Sequence, residues 1–174
     1  MSTIALPLDG IGFPDGSQQR TARSGFGYFV PEPPLVMFNA GITNQYTSLQ
    51  SDSIVYDKLL NSVGGGFSTV TGRFTAPVAG YYFMEMGLYF TSSGQGNMFS
   101  PQGSLAVNPT NTTVVFGNCL LHLQTQTAQV SVTTVLKLAV GDVVSGKFMA
   151  TDNYLYTLLP SPARSFFKGI LLSE

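Results

Sequence analysis

From Val36 onward the chain never holds one hydrophobic rhythm for long. Short segments of alternating apolar and polar side chains are cut repeatedly by Gly, Pro, Asn and Ser clusters. These are VGGG at 63–66, TSSGQGN at 91–97, NPTN at 108–111, VGD at 140–142 and LPSP at 159–162. A period of two sends successive side chains to opposite faces of a strand. Many short strands at close spacing bury their apolar faces by stacking two sheets or closing a barrel. The alternation predicts strands over 35–40, 53–60, 67–74, 81–90, 104–107, 112–116, 119–124, 129–140, 142–150, 154–158 and 165–172. Helical periodicity is nearly absent, so the fold class is all-β.

Two of these segments show what their faces do. In 81–90 the even set, Tyr82, Met84, Met86, Leu88 and Phe90, is wholly apolar and belongs in a core. The odd set, Tyr81, Phe83, Glu85, Gly87 and Tyr89, carries three aromatics where a wet face would be polar. Aromatic residues are enriched in contacts between subunits, which points to a covered second face. In 129–138, by contrast, Val130, Val132, Thr134, Leu136 and Leu138 face inward while Gln129, Ser131, Thr133 and Lys137 face out. Composition agrees: only 10% of residues are charged, 44% are hydrophobic, and the formal net charge is −1. A small chain so poor in charge is prone to associate unless copies of itself cover part of its surface.

Residues 1–34 differ from the rest. Pro7, Pro14, Pro31, Pro33 and Pro34 are interspersed with five glycines and show no sustained periodicity, and PEPP at 31–34 reads as a stiff linker. The division expected is an extended N-terminal arm, 1–34, and a β domain, 35–174.

Several function classes are disfavoured. The eight Lys and Arg are scattered, so no basic face for nucleic acid is visible. No stretch reaches the ~20 apolar residues of a membrane helix, and the N-terminus lacks a signal-peptide pattern. The single Cys119 cannot form an intrachain disulfide. On a strand its offset of three from the only histidine, His122, places the two on opposite faces. No paired acid/base constellation or nucleotide-binding motif is present, so neither an enzyme nor a cofactor is expected. Asp52, Asp57, Asp142 and Asp152 lack the clustered spacing of a calcium loop and read as turn residues.

The stretch YDKLLNSVGGGFSTVTGRFTAPVAGYYF at 56–83 resembles the globular head domain of complement component 1q, within the tumour-necrosis-factor-like superfamily. Asp57, Asn61, Gly72, Phe74, Pro77, Gly80, Tyr82 and Phe83 carry the likeness. LKLAVGDVV at 136–144 and SFFKGILLSE at 165–174 are similar to later motifs of that family. The resemblance implies a ten-strand jelly-roll sandwich assembled as a homotrimer, with aromatics at the three-fold seam. Tyr81, Phe83, Tyr89, Phe166 and Phe167 are the candidates for that seam. The chain lacks the Gly-X-Y stalk of animal members.

Within the arm, FPDGSQQRTA at 13–22 resembles an element recurring in phage tail-fibre and other virion proteins, and its bland reading is a turn at Pro14–Asp15 before a polar strand. Phe13, Pro14, Asp15, Gly16, Gln19 and Arg20 are the candidate virion anchor. The expectation is a trimeric virion fibre, knob or spike on capsid or tail, made in a host cytoplasm, with other virion proteins as partners. Asn153, Tyr154 and Tyr156 are candidates for contact with a host receptor or glycan. The alternative is a secreted or surface recognition module of the complement 1q type.

Overall fold

A computed structural model describes residues 34–44, 46–48, 53–92, 101–108, 112–118, 127–149 and 156–174. Its strands are β1 (Met37–Gly41), β2 (Tyr46–Ser48), β3 (Lys58–Val63), β4 (Phe67–Ser68), β5 (Arg73–Thr75), β6 (Gly80–Ser92), β7 (Gln102–Val107), β8 (Thr112–Asn118), β9 (Thr127–Leu138), β10 (Val143–Met149), β11 (Tyr156–Leu158) and β12 (Phe166–Ser173). They form two antiparallel sheets: a seven-stranded one built around β6, and a five-stranded one in the order β4-β5-β10-β7-β8. This is the expected all-β jelly-roll sandwich, with twelve strands among the described residues where ten were expected.

β6 organises the larger sheet. One edge pairs with β9 along Gly80–Thr91, and the other with β12 and then β11. β1 lies beyond β12, and β3 closes the sheet as an edge strand. The register between β1 and β3 shifts at Asn39/Ala40, leaving Leu60 as the extra residue of a bulge.

The alternation read from the sequence is the alternation of burial. Tyr82, Met84, Met86, Leu88 and Phe90 are fully buried, and Val130, Val132, Leu136 and Leu138 of β9 and Val144 and Phe148 of β10 are buried with them. Thr134, expected inward, is only partly buried. At one end of the core Phe38 stacks on Phe67 and Phe74, centroids 4.9 and 4.7 Å apart, and meets Phe167 edge-on. At the other, Phe90, Phe148 and Tyr156 form a triangle of tilted rings with centroids 5.2–5.7 Å apart. Gly169 allows the first cluster to close: a Cβ there would lie 2.4 Å from Phe38 Cε1 and 2.7 Å from Met84 Sδ. A glycine inside a strand often marks such a close approach.

The segment 67–74, read as one strand, is two. Gly72, with φ +67°, turns the chain between β4 and β5 under the Ile54 carbonyl, where a Cβ would sit 2.2 Å from the oxygen. Only glycine fits both the conformation and the space. Segment 53–60 is likewise shifted: Ile54 and Tyr56 are core residues on irregular backbone, and the strand begins at Lys58. The Tyr56 hydroxyl is buried without a hydrogen-bond partner among the described residues, and burial raises its pKa well above the usual tyrosine value.

Two aspartates fasten turns, as expected of them. Asp57 accepts from the Thr43 N–H (2.7 Å), the Thr43 hydroxyl (2.8 Å) and the Asn44 amide. Desolvation pushes its pKa up, but these donors outweigh it and the value ends below normal. Asp142 accepts from the Asn108 amide (2.9 Å) and the Ala139 N–H (2.8 Å), which together lower its pKa against weak desolvation. Asn108 returns the contact by accepting the Val143 N–H at 3.0 Å. Asp52 and Asp152 lie outside the described residues, as do Cys119 and His122.

Candidate functional site

The outer face of the larger sheet has a layered chemistry set by strand register. Tyr81, Phe83, Glu85 and Tyr89 point away from the core because their even neighbours fill it. Pairing places Val135, Phe83, Ile170, Met37 and Val63 in one row across β9, β6, β12, β1 and β3. Every member is apolar. Val135 is 52% exposed, Val63 40% and Ile170 36%, a continuous apolar strip on the surface of a single chain. Tyr81 (43% exposed) and Leu172 extend it toward the foot of the sheet.

The next row, Thr133, Glu85, Lys168, Asn39 and Asn61, is wholly polar. Lys168 Nζ stands 3.6 Å from Glu85 Oε2. Asn39 Oδ1 is buried and has no donor among the described residues. Beyond that row the Phe166 ring lies over Gly87, where a Cβ would be only 2.6 Å away.

Three outer aromatics each have a cation from the same chain. Lys137 Nζ is 5.6 Å from the Tyr81 ring centroid, Arg164 Cζ 4.8 Å from that of Tyr89, and Lys168 Nζ 4.0 Å from that of Phe166. Such pairs keep rings upright and supply polar atoms beside them. At the foot of β6 and β9 a hollow of about 620 Å³ is lined mainly by Val78, Ala79, Tyr81, Lys137, Leu138 and Glu174. Among the described residues no three His, Cys, Asp or Glu gather as metal ligands would, and no helix is long and apolar enough to cross a membrane.

Of the residues expected at a subunit seam, Tyr81, Phe83 and Tyr89 lie on this one face partly exposed, and Phe166 lies on it too but is already buried by its own chain, at 6% exposed. Phe167 does not share the face. It is fully buried between the sheets against Phe38 and Tyr56, because one residue along a strand reverses the side chain's direction. Tyr156, expected in a ligand-binding loop, is also a core residue, fully buried in β11 beside Phe90 and Phe148. Asn153 and Tyr154 lie outside the described residues. So do Phe13, Pro14, Asp15, Gly16, Gln19 and Arg20.

Sequence reasoning missed Val135, Ile170, Met37 and Val63. The signal for Val135 and Ile170 was local, since each shares parity with outward residues of its own strand, Lys137 and Lys168. Met37 and Val63 join the row only through pairing.

A sequence model of the C1q domain matches residues 37–172. No curated protein sequence matches the chain. Among solved structures, murine APRIL at pH 5.0 superposes with a TM-score of 0.61 at 13% identity, covering 79% of this chain and 99% of that one. The globular domain of zebrafish complement 1qA gives 0.53 at 21% identity, covering 82% and 99%. Eiger TNF from S. frugiperda gives 0.59 at 14%, covering 82% and 95%. At these identities the superpositions show a shared fold.

Proposed function

The chain belongs to the C1q domain family, and from that premise we propose that it is a non-enzymatic homotrimeric head tethered to a virion by residues 1–34. C1q- and TNF-like domains form homotrimers. The observation that carries the assembly reading is the apolar row Val135–Phe83–Ile170–Met37–Val63, exposed on one chain and continuous across five strands. Burying such a strip against a second copy removes apolar area from water at about 25 cal/mol per Å². The virion reading is supported by FPDGSQQRTA at 13–22, with Phe13, Pro14, Asp15, Gly16, Gln19 and Arg20 as its anchor. In this reading the head also touches a host-surface protein or glycan, with Asn153 and Tyr154 as its proposed contacts.

The family match equally supports a C1q-like recognition module that binds a protein or glycan away from any particle. One experiment separates the two. Full-length chain and a variant lacking 1–34 are expressed during particle assembly and sought in purified particles. Full-length chain in particles and truncated chain excluded, while both keep the same oligomeric mass, supports the tether. Absence of the full-length chain from particles leaves the recognition module.

A further inference from the structure

We infer that the polar row on the outer face, centred on Asn39 and Lys168, fixes the register and the stoichiometry with which a second copy docks. The inference rests on the assembly reading above and adds the residues that make assembly specific. Asn39 Oδ1 is buried and no group among the described residues donates to it. Its cross-strand neighbours are Lys168 and Asn61. The Lys168 ammonium is 3.6 Å from Glu85 and 4.0 Å from the Phe166 ring. Neither contact is a close hydrogen bond, and an ammonium carries three N–H donors. The row thus offers an unfilled acceptor and spare donors, in fixed positions.

The apolar row beside it cannot specify a docking pose, because apolar burial is non-directional. A partner sliding along the strands by one row, about 7 Å, would lay apolar groups on Lys168 and strand the Asn39 carbonyl. Sliding is therefore penalised only where the polar row is. Single buried polar residues play this part in coiled coils, choosing register and oligomer state at a cost in stability. The occupant is a second copy because the polar row continues the face that family membership and the apolar strip assign to self-assembly.

The test compares wild type, Asn39→Val, Asn39→Ser and Lys168→Met in the full chain, by native mass spectrometry and thermal unfolding. Wild type and Asn39→Ser are expected to give one oligomer mass. Asn39→Val and Lys168→Met are expected to give several masses, with Asn39→Val unfolding at the same or a higher temperature. That combination separates a specificity role from a structural one, which would lower the unfolding temperature. If Asn39→Val fails to fold, Lys168→Met decides. A single wild-type mass in both apolar variants overturns the inference and leaves the assembly reading intact. A wild type that stays monomeric at every concentration overturns both.

Discussion

Phe166 and Phe167 are consecutive residues on opposite sides of one sheet. The first lies under the Lys168 ammonium at 4.0 Å, and the second meets the Phe38 ring edge-on at 4.9 Å. Truncating them should therefore damage different things. Phe167→Ala is expected to lower fold stability by about 3–5 kcal/mol, the usual cost of an aromatic-sized cavity. Phe166→Ala is expected to cost less and to weaken association indirectly, by unseating Lys168, since the ring itself is only 6% exposed in the single chain. Denaturant titration at fixed protein concentration, paired with light scattering, reads both.

Ile170 sits between Phe83 and Met37 in the apolar row. Ile170→Glu places a charge where a second copy would exclude water, and desolvating it costs several kcal/mol. Because Ile170 is already 36% exposed in the single chain, the fold should survive. The expected result is a monomer with an unchanged far-ultraviolet circular dichroism spectrum. A variant that keeps the wild-type mass would remove this row from the interface.

The Tyr56 hydroxyl is buried without a partner among the described residues, with Gly146 closing over it: a Cβ on that glycine would be 2.9 Å from the oxygen. An unsatisfied buried hydroxyl is a net cost, so Tyr56→Phe should stabilise the fold by about 1 kcal/mol. The raised pKa of Tyr56 means that the folded state holds its proton more tightly. Its contribution is present below about pH 10 and is lost as pH rises above that. The variant should accordingly resist alkaline unfolding better than wild type.

At the acid end the relevant groups are Asp57 and Asp142, whose folded pKa values are lowered. Their stabilisation is present above the unfolded carboxylate value, about 4, and fades as pH falls through it. Asp57→Asn and Asp142→Asn should each lower stability at neutral pH and flatten its acid decline, as seen by thermal unfolding between about pH 2 and pH 7. A decline as steep as wild type's would mean that other carboxylates control it.

The sandwich was legible wherever a segment declared its own parity. The long runs in β6 and β9 repeat the two-residue period often enough that core and surface sets separate without a partner strand. Legibility failed where one residue decides direction. Nothing local distinguishes Phe166 from Phe167; the choice follows from Gly169 and Leu171 pointing inward, and those are placed by Phe38 and Met84. Tyr156 lies in a segment, 154–158, whose alternation reads as a strand, but which face it takes depends on a long-range pairing with β6 that the segment does not carry. β2, only three residues long, left no trace in the alternation. The apolar row itself is a property of register, which a single strand does not carry.

Register also sets a timetable. β1 finds its partners in β3, close behind it, and in β12, where Phe38 lies opposite Gly169. During synthesis the first strand of the domain must wait for the last, with nearly the whole domain as the loop to be closed. The row that joins Met37 to Ile170 does not exist until β12 has been made. Copies of this protein are therefore expected to meet through this row only once β12 has been made and paired with β1, as finished domains.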